Sequence, residues 1–258
     1  MGTEKKFSAI KYDGNIEKVS LKAPEEKSIT LILNGEELVT LMATPVNLKE
    51  LAIGFLYAEG FIEGITSLKN ILTNERRGIV KIETSSIFSK PKRKILTSGF
   101  GKGVTFSNPL EERDLKPVAF SKVFSAKGIV NLMAKFLHST EIHRSTGGVH
   151  CSALLSENEI FTIQEDIGRH NTIDKVLGYI LLNAIPLEDK MVFTTGRISS
   201  EMLYKAIKAN IPLVASHSTP TDASIQLGKK FGVSIVGYVR GGKMYIYTHP
   251  ERIKINED

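Results

Sequence analysis

The chain contains one cysteine among its 258 residues. A single cysteine excludes an internal disulfide framework and favours a reducing compartment. No apolar run approaches the roughly 18–20 residues that span a bilayer. Residues 1–6 also lack the apolar centre of a secretory signal. These absences predict a cytoplasmic protein with no membrane association.

The sequence signatures of metal sites and of common nucleotide sites are missing too. Cys151 has no second cysteine with which to form a Cys-x-x-Cys pair, and His143 and His150 do not form an H-E-x-x-H pattern. We therefore predict no metal site, and a zinc deaminase is disfavoured. The glycine-rich residues 97–103 lack the spacing of a phosphate-binding Walker loop, and no dinucleotide fingerprint is present.

Basic residues exceed acidic ones, giving a formal charge of +6 and a pI near 9.2. They are scattered, and the one dense run, residues 90–94, is more typical of a solvated loop than of a nucleic-acid surface. No aromatic-rich strand accompanies it to stack bases. A positive balance suits a phosphate-bearing ligand equally well. A nucleic-acid-binding module therefore stays open, with steeply salt-dependent binding as its expected signature.

Hydrophobic periodicity divides the chain into two parts. Residues 28–41 predict a β-hairpin turning at Asn34-Gly35, and 48–57 predict a helix. The charged, aperiodic residues 108–117 indicate a junction, which gives an N-terminal α+β domain over 1–115 that carries the glycine-rich loop 97–103. Residues 116–258 alternate strands and helices, which predicts an α/β domain with a mixed, mainly parallel sheet flanked by helices. Its expected elements are a helix at 121–137, strands at 149–155 and 160–163, a helix at 172–182, a strand at 191–194, a helix at 200–209, a strand at 213–215, a helix at 223–231, and strands at 233–238 and 244–247.

The segment 164–175 is unusually polar for a strand-to-helix junction. We expect Asn171 to be the N-cap of the following helix and Asp174 to be the acid of its capping box. Asp166, Arg169 and His170 then lie at a helix N-terminus, where backbone donors favour anions. A capped helix with solvated charges is the alternative interpretation.

Further polar loops adjoin the ends of other predicted strands, and α/β sheets bind ligands at loops that leave the carboxyl ends of strands. The loops are 145–151, 164–171, 194–201, 216–222 and 240–243. Together they contribute Arg169, Arg197, Arg240, Lys205 and Lys243, a set suited to phosphates and a polar heterocycle. His150 and His170 are candidate ligand contacts because they lie within these loops. His138, His143 and His249 are interpreted as structural.

Read together, these loops resemble the formate dehydrogenase accessory sulfurtransferase family (FdhD-type). The resemblance rests on segments that run in family order over nearly the whole chain. They are Glu50–Gly60, Thr146–His150, Glu165–Asn171, Asp174–Lys175, Thr195–Met202, Pro220–Thr221, Arg240–Gly241 and Ile246–Ile253.

The resemblance implies a function that spacing alone does not show. Family members accept sulfur from a cysteine desulfurase and deliver it to the bis-molybdopterin guanine dinucleotide cofactor of molybdenum before the cofactor enters formate dehydrogenase. A guanine nucleotide is the expected mimic of that cofactor. The implied fold is a cytidine-deaminase-like α/β domain with a smaller N-terminal domain, usually as a homodimer. The implied cofactor contacts lie on the penultimate turn, at Tyr238, Val239, Arg240, Gly241, Gly242 and Lys243, beside the loop candidates Asp166, Arg169, His170, Arg197 and His150.

The sequence departs from the family at the position that carries sulfur. Many members have a Cys-x-x-Cys pair in the glycine-rich loop, where this chain has Phe100 and Gly103. A phenylalanine cannot form a thiolate. Cys151 is then the one candidate nucleophile, if His150 lowers its pKa, and the alternative is a small buried residue. Three hypotheses follow: a sulfur-transferring maturation protein, a cofactor-binding chaperone without sulfur transfer, and a nucleotide-acting hydrolase.

Overall fold

The computed structural model describes residues 3–85, 95–96, 104–105, 115–119 and 122–255. Its N-terminal part is a four-stranded sheet in the order β4-β3-β6-β5 with one helix, α1, packed on it. The predicted hairpin at Asn34-Gly35 is confirmed, because both residues have positive φ, 49° and 87°, as such tight turns require. The predicted helix is confirmed as well. The elements are β3 (Lys27–Leu33), β4 (Glu36–Ala43), α1 (Leu48–Ala58), β5 (Leu68–Asn74) and β6 (Ile79–Thr84).

A long hairpin precedes this sheet, formed by β1 (Glu4–Tyr12) and β2 (Ile16–Pro24). Sequence pattern does not predict it, because neither strand buries one face; Phe7, Ile10 and Leu21 are all exposed. Two short strands, β7 (Ile95–Leu96) and β8 (Val104–Thr105), pair antiparallel.

Several sequence predictions fall outside the described residues. The glycine-rich residues 97–103, with Phe100 and Gly103, are among them, as are the basic run 90–94 and most of the junction at 108–117. The domain boundary at 115/116 therefore stays a prediction.

The C-terminal part is a six-stranded sheet in the order β11-β10-β12-β13-β14-β15. The predicted mixed sheet flanked by helices is confirmed, but the expectation of a mainly parallel sheet is wrong. Only β12, β13 and β14 run parallel, whereas β10 pairs antiparallel with β11 and β12, and β14 with β15. The reason is connection length: β10–β11 and β14–β15 are joined by short turns, which cannot link parallel neighbours. The strands are β10 (His150–Leu155), β11 (Ile160–Asp166), β12 (Met191–Thr194), β13 (Leu213–Ser216), β14 (Ser234–Arg240) and β15 (Lys243–Ile246).

Alternating side chains of this sheet fill two cores. Leu154, Val192 and Val214 face one core with α4, α5 and α6, while Ala153, Phe193 and Ala215 face the other with α2. This division follows from the two-residue repeat of strand side chains. The helices are α2 (Ala126–His138), α3 (Ile142–Thr146), α4 (Arg169–Leu182), α5 (Ser200–Lys208) and α6 (Asp222–Phe231).

Helix α2 begins later than its periodicity predicts. Phe124–Ser125 forms a short strand, β9, that pairs with β16 (Ile253–Lys254), and the Ser125 hydroxyl then accepts a hydrogen bond from the Gly128 N–H at 3.0 Å. No helix within the described ranges is long and apolar enough to cross a membrane.

Helices α1 and α4 join the two parts at a very close crossing. A Cβ atom at Gly54 would lie 1.7 Å from the Asp174 carbonyl oxygen, and one at Gly178 would lie 1.9 Å from the Glu50 carbonyl oxygen. Only glycine permits the two backbones to touch in this way. The N-terminal sheet is thus docked through α1 on the helix that begins at the candidate site.

Candidate functional site

The predicted polar loops meet at one edge of the six-stranded sheet. The parallel strands β12, β13 and β14 all end at this edge, as strands of one direction must. The start of β10 and the end of β11 lie there too, because Ser152 is the register partner of Thr194, and His150 that of Asp166. Loops 145–151, 164–171, 194–201 and 216–222 are therefore neighbours in space.

Hydrogen bonds between the loops hold this edge together. The Ser216 hydroxyl donates to the Gly196 carbonyl oxygen at 2.6 Å, and the Ile198 N–H donates to the Thr219 carbonyl oxygen at 3.0 Å. Thr195 exchanges two bonds with Cys151: its N–H donates to the Cys151 carbonyl oxygen, and its hydroxyl accepts from the Cys151 N–H. These hydrogen bonds fix the backbones of the loops relative to one another.

Asp166 is a structural residue rather than a surface contact. Its carboxylate is fully buried and pairs with the fully buried Lys175 ammonium at 2.7 Å. It also accepts hydrogen bonds from the N–H of Gly168 at 2.9 Å and of Thr44 at 3.2 Å, and from the Asn171 amide at 2.8 Å. Asp166 was predicted to contact cofactor, but every one of these partners belongs to the fold.

The predicted start of helix α4 is wrong. The helix begins at Arg169, and its N-cap is Gly168, three residues before the expected cap Asn171. Asn171 lies inside the helix and donates to Asp166 and, at 2.9 Å, to the Met42 carbonyl oxygen. Asparagine is a common N-cap residue, but here the Asn171 side chain bonds to residues of β11 and β4.

Asp174 and Lys205 are likewise removed from the site. Asp174 was expected to cap α4 and Lys205 to line the pocket, yet they form a buried ion pair with Nζ–Oδ distances of 2.6 and 2.8 Å. Burial raises the pKa of the Asp174 carboxyl to about 6, against the opposing attraction of Lys205. The pair therefore links α4 to α5 inside the protein at neutral pH.

Cys151 is buried and electrostatically disfavoured as a nucleophile. It is 0% exposed, and its thiol donates to a Glu165 carboxylate oxygen at 3.4 Å. Burial raises the pKa of this thiol, and the negative charge of Glu165 raises it further. The expectation that His150 activates it is wrong, because adjacent strand residues point to opposite faces and Cys151 lies in the α2 core.

Glu165 also positions helix α3. Its two carboxylate oxygens accept from the backbone N–H groups of Glu141, Ile142 and His143 at 3.0, 3.1 and 2.8 Å. A carboxylate is stabilising at a helix N-terminus, where backbone donors have no partner within the helix. Glu165 thereby holds α3, with His143 and Arg144, beside the loops at the sheet edge.

Arg169, Gly196 and His150 are in direct proximity. A Cβ at Gly196 would lie 3.0 Å from the Arg169 Cβ and 3.6 Å from the His150 Nδ1. Arg197 is exposed, and its charge acts on Arg169. Arg169 therefore lies close to both His150 and Arg197, and their shared role in one pocket stays a prediction.

His170 lies deeper in the same loops. Its Nε2 lies 2.9 Å from a Glu201 carboxylate oxygen and 3.4 Å from the Ser199 hydroxyl oxygen. Burial lowers the pKa of His170, while the hydrogen bond to Glu201 opposes that change. The ring is therefore held by helix α5.

The penultimate turn presents an exposed cation on an aromatic ring. The Arg240 guanidinium carbon lies 4.0 Å from the centre of the Tyr238 ring, which in turn meets Tyr245 edge-on at 6.0 Å. Gly241 and Gly242 have φ of 57° and 73°, the pattern of a two-residue turn with both central residues left-handed. Arg240, Gly241, Gly242 and Lys243 are exposed, and Tyr238 is half-buried. Val239 is 1% exposed, so that its side chain packs in the core and only its backbone is near the turn.

A cleft of about 610 Å³ opens at this edge between α3 and the loops after β12 and β13. The residues lining it are Leu137, His138, His143, Arg144, Gly147, Val149, His150, Thr195 and His217. Sequence reasoning selected only His150 among them. His217 lies within a polar loop that was recognised, whereas His143 looked like a polar helix end. Within the described ranges, no group of three His, Cys, Asp or Glu side chains is arranged to hold a metal ion.

Comparison with known proteins matches nearly the whole chain. The model of the FdhD/NarQ family matches residues 24–254. A protein of Bacillus subtilis (strain 168), named sulfur carrier protein FdhD, is 37% identical over 246 residues, covering 93% of this chain and 94% of that protein. A protein of the same name from Bacillus pumilus (strain SAFR-032) is 38% identical over 236 residues, covering 89% of each.

A solved structure agrees with this likeness. The crystal structure of a candidate formate dehydrogenase accessory protein from Desulfotalea psychrophila superposes with a TM-score of 0.82 at 26% identity. It covers 98% of this chain and 100% of that chain. The family match and the curated relatives agree over most of the sequence, and the chain belongs to the FdhD/NarQ family.

Proposed function

We propose that the chain serves the maturation of formate dehydrogenase by binding the guanine dinucleotide form of the molybdenum–pterin cofactor. The supporting observation is the sheet edge at which Arg169, Arg197 and the Arg240 turn converge. Guanidinium groups bind phosphates through paired N–H donors and stack on flat rings. The relatives named sulfur carrier and the neighbour described as a formate dehydrogenase accessory protein support the same process.

The turn at 238–243 is suited to the guanine nucleotide end of this cargo. The Arg240–Tyr238 stack offers a flat cationic surface next to an exposed aromatic edge at Tyr245. Gly241 and Gly242 have no side chains to keep the nucleotide away from the backbone of the turn. Lys243 adds a mobile positive charge at the same turn.

Binding without sulfur transfer is the version that the position of Cys151 favours. A persulfide carrier must form a thiolate and meet another protein's sulfur, and Cys151 is buried, with its thiol pKa raised. Phe100 stands at the position where many family members have the carrier cysteine. We therefore propose that this chain presents the cofactor but does not carry sulfur on its own cysteine. Sulfur carriage, which the relatives' name describes, is the competing version, with a cysteine desulfurase as the donor implied by the resemblance.

Nucleotide binding is tested with guanosine diphosphate as the mimic of the cofactor. We expect calorimetry to show specific binding that Arg240→Ala weakens by about 10- to 100-fold, as the loss of a charged hydrogen bond predicts. Arg197→Ala should act in the same direction, because it removes a second exposed guanidinium. Lys229→Ala, an exposed lysine near the end of α6, is the matched control and should bind normally. Unchanged affinity in both arginine variants would refute the proposed pocket.

Sulfur transfer is tested by mass spectrometry. The protein is incubated with a cysteine desulfurase and cysteine, denatured, alkylated and digested. We expect the Cys151 peptide to carry only the alkyl group. A peptide heavier by one sulfur atom would establish the transfer version instead.

The partners implied by the resemblance remain proposals. Formate dehydrogenase and a second copy of the chain are the two expected with cofactor binding, and a cysteine desulfurase only with sulfur transfer. Sedimentation with and without guanosine diphosphate tests the homodimer directly, since a dimer doubles the measured mass.

A further inference from the structure

The six histidines of the chain divide into two sets. Three have partners within the fold: His138 at the Ala134 carbonyl oxygen, His170 at Glu201, and His249 at Glu251 and the Gly228 carbonyl oxygen. The rings of His143, His150 and His217 make no hydrogen bond or ion pair with any residue in the described part of the chain. An imidazole contributes little to the fold in that situation, so that these three rings are available to a ligand.

All three of these rings line the same cleft. Its volume of about 610 Å³ lies within the range of roughly 300–1,000 Å³ typical of small-molecule sites. The Arg144 side chain lines the cleft too. Its Nη1 donates to the His138 carbonyl oxygen at 2.8 Å, and the same planar guanidinium carries further N–H donors. No aspartate or glutamate is among the described residues that line the cleft.

Arginines supply most of the charge around the cleft. The positive charge of Arg169 lowers the pKa of His150, and the negative charge of Asp166 raises it. Lys175 pairs with Asp166 at 2.7 Å and offsets its charge. The positive charge of Arg240 contributes to the lowered pKa of His217. A cleft with this field and these donors is complementary to an anion that offers several hydrogen-bond acceptors.

We propose that this cleft binds the phosphate groups of the nucleotide through the rings of His143, His150 and His217 and the guanidinium of Arg144. The inference rests on the proposed function and extends it. It assigns a binding role to His143, His217 and Arg144. It also places the phosphates next to the turn that receives the base, since His217 lies within the field of Arg240.

Proton uptake is the expected signature of this site. Burial lowers the pKa of both His150 and His217. The positive charge of Arg169 lowers the pKa of His150 further, and that of Arg240 lowers the pKa of His217 further. The rings are therefore neutral near pH 7, with one donor and one acceptor each. A bound phosphate favours the charged form, which is a double donor, so that its arrival raises both pKa values. Affinity should then weaken as pH rises, by up to about tenfold per pH unit for each proton taken up.

The test is calorimetry with inorganic pyrophosphate and with guanosine diphosphate, in two buffers of different ionisation enthalpy near pH 7. We expect pyrophosphate to bind alone and both ligands to take up protons. His143→Gln combined with His217→Gln should weaken pyrophosphate by at least about tenfold and reduce proton uptake. These rings make no bonds within the described fold, so the variant should unfold at the normal temperature. His249→Asn is the matched control and should bind pyrophosphate normally, because its ring bonds elsewhere.

The possible failures are distinguishable. If guanosine diphosphate binds but the histidine variant changes neither its affinity nor its proton uptake, the cleft proposal is overturned and the proposed function stands. If pyrophosphate binds through the histidines but guanosine diphosphate binds no more tightly, the cleft stands and nucleotide recognition at the turn fails. Pyrophosphate binding that shows no proton uptake and is unchanged in the histidine variant overturns the cleft proposal, because the rings then neither donate to the phosphates nor gain charge beside them.

Discussion

The crossing of α1 and α4 makes Gly178→Ala a severe test of how the two parts are joined. The new Cβ would lie 1.9 Å from the Glu50 carbonyl oxygen, 2.6 Å from its carbonyl carbon and 2.7 Å from its Cα. All three are backbone atoms, which no rotamer change can move. Ordinary van der Waals contact requires about 3.5 Å, so the helices must separate by more than about 1 Å.

Two opposing free-energy contributions determine how much stability Gly178→Ala should cost. Alanine is favoured over glycine within a helix by about 1 kcal/mol. Overpacking of a buried contact typically costs about 1–3 kcal/mol and occasionally more, and separating the helices also loosens buried neighbours such as Leu51, Phe55 and Val176. Because the obstacle is backbone on both helices, we expect the upper end of that range and a net loss of about 2 kcal/mol. For a chain of this size the unfolding midpoint should fall by about 4–8 °C.

Thermal and urea unfolding followed by circular dichroism measure this effect. Gly128→Ala is the matched control, because it is also helical but its nearest neighbour is the small Ser125 side chain at 3.2 Å. That variant should unfold within a few degrees of the parent protein. A Gly178→Ala protein as stable as the parent would show that the close approach does not exist, and the docking of the N-terminal sheet on α4 would have to be described differently.

Three further changes test other parts of the structure. Lys175→Met leaves the Asp166 carboxylate buried without its cation and should lower the free energy of unfolding in urea by about 3–5 kcal/mol. A loss no larger than that caused by replacing an exposed lysine with methionine would contradict the pairing. Cys151→Ala removes a small buried group, so guanosine diphosphate affinity should be unchanged in calorimetry while stability falls by about 1 kcal/mol. The pKa of His170 is lower in the folded protein than in the unfolded chain, so the unfolded chain binds more protons below about pH 6.5. The contribution of His170 to the free energy of unfolding is therefore fully present above that pH. It is lost as the pH falls through the folded-state pKa. His170→Gln should therefore show a shallower acid decline in urea midpoints between pH 7 and 5, and an unchanged slope would contradict this assignment.

Local patterns predicted the elements that depend on neighbours in sequence. The Asn34-Gly35 hairpin and helix α1 appear where periodicity and turn chemistry place them. The loops after β12 and β13 meet because these strands run parallel, as predicted, whereas loop 145–151 joins them because β10 runs antiparallel to β12, which the sequence did not predict. The start of α4 was predicted wrongly, because Asn171 lies within the helix and donates hydrogen bonds to Asp166 and Met42. Capping rules consider only the local chain, whereas these partners are 5 and 129 residues away.

Burial explains why some charged residues were assigned incorrectly. Lys205 was expected to line the pocket, yet it is inside the protein, as is Lys175, for whose side chain the sequence made no prediction. Each is matched by one carboxylate, Asp166 or Asp174, which no linear spacing reveals. His143 and His217 were passed over for the opposite reason. They lack any sequence motif, and only the absence of partners within the described fold, together with their shared cleft, distinguishes them.

The buried ions also connect the N-terminal sheet to the edge of the six-stranded sheet where the polar loops meet. The N–H and carbonyl groups of Thr44, just past the end of β4, bond to Asp166 and Lys175, at 3.2 Å each. These two residues fix the end of β11 and the first turns of α4, from which Arg169 reaches the loops. Moving the N-terminal sheet would therefore displace Arg169 or leave two opposite charges buried without full hydrogen bonding, which is costly in a low-dielectric interior. A ligand bound at this edge would therefore meet side chains whose positions the N-terminal sheet helps to fix.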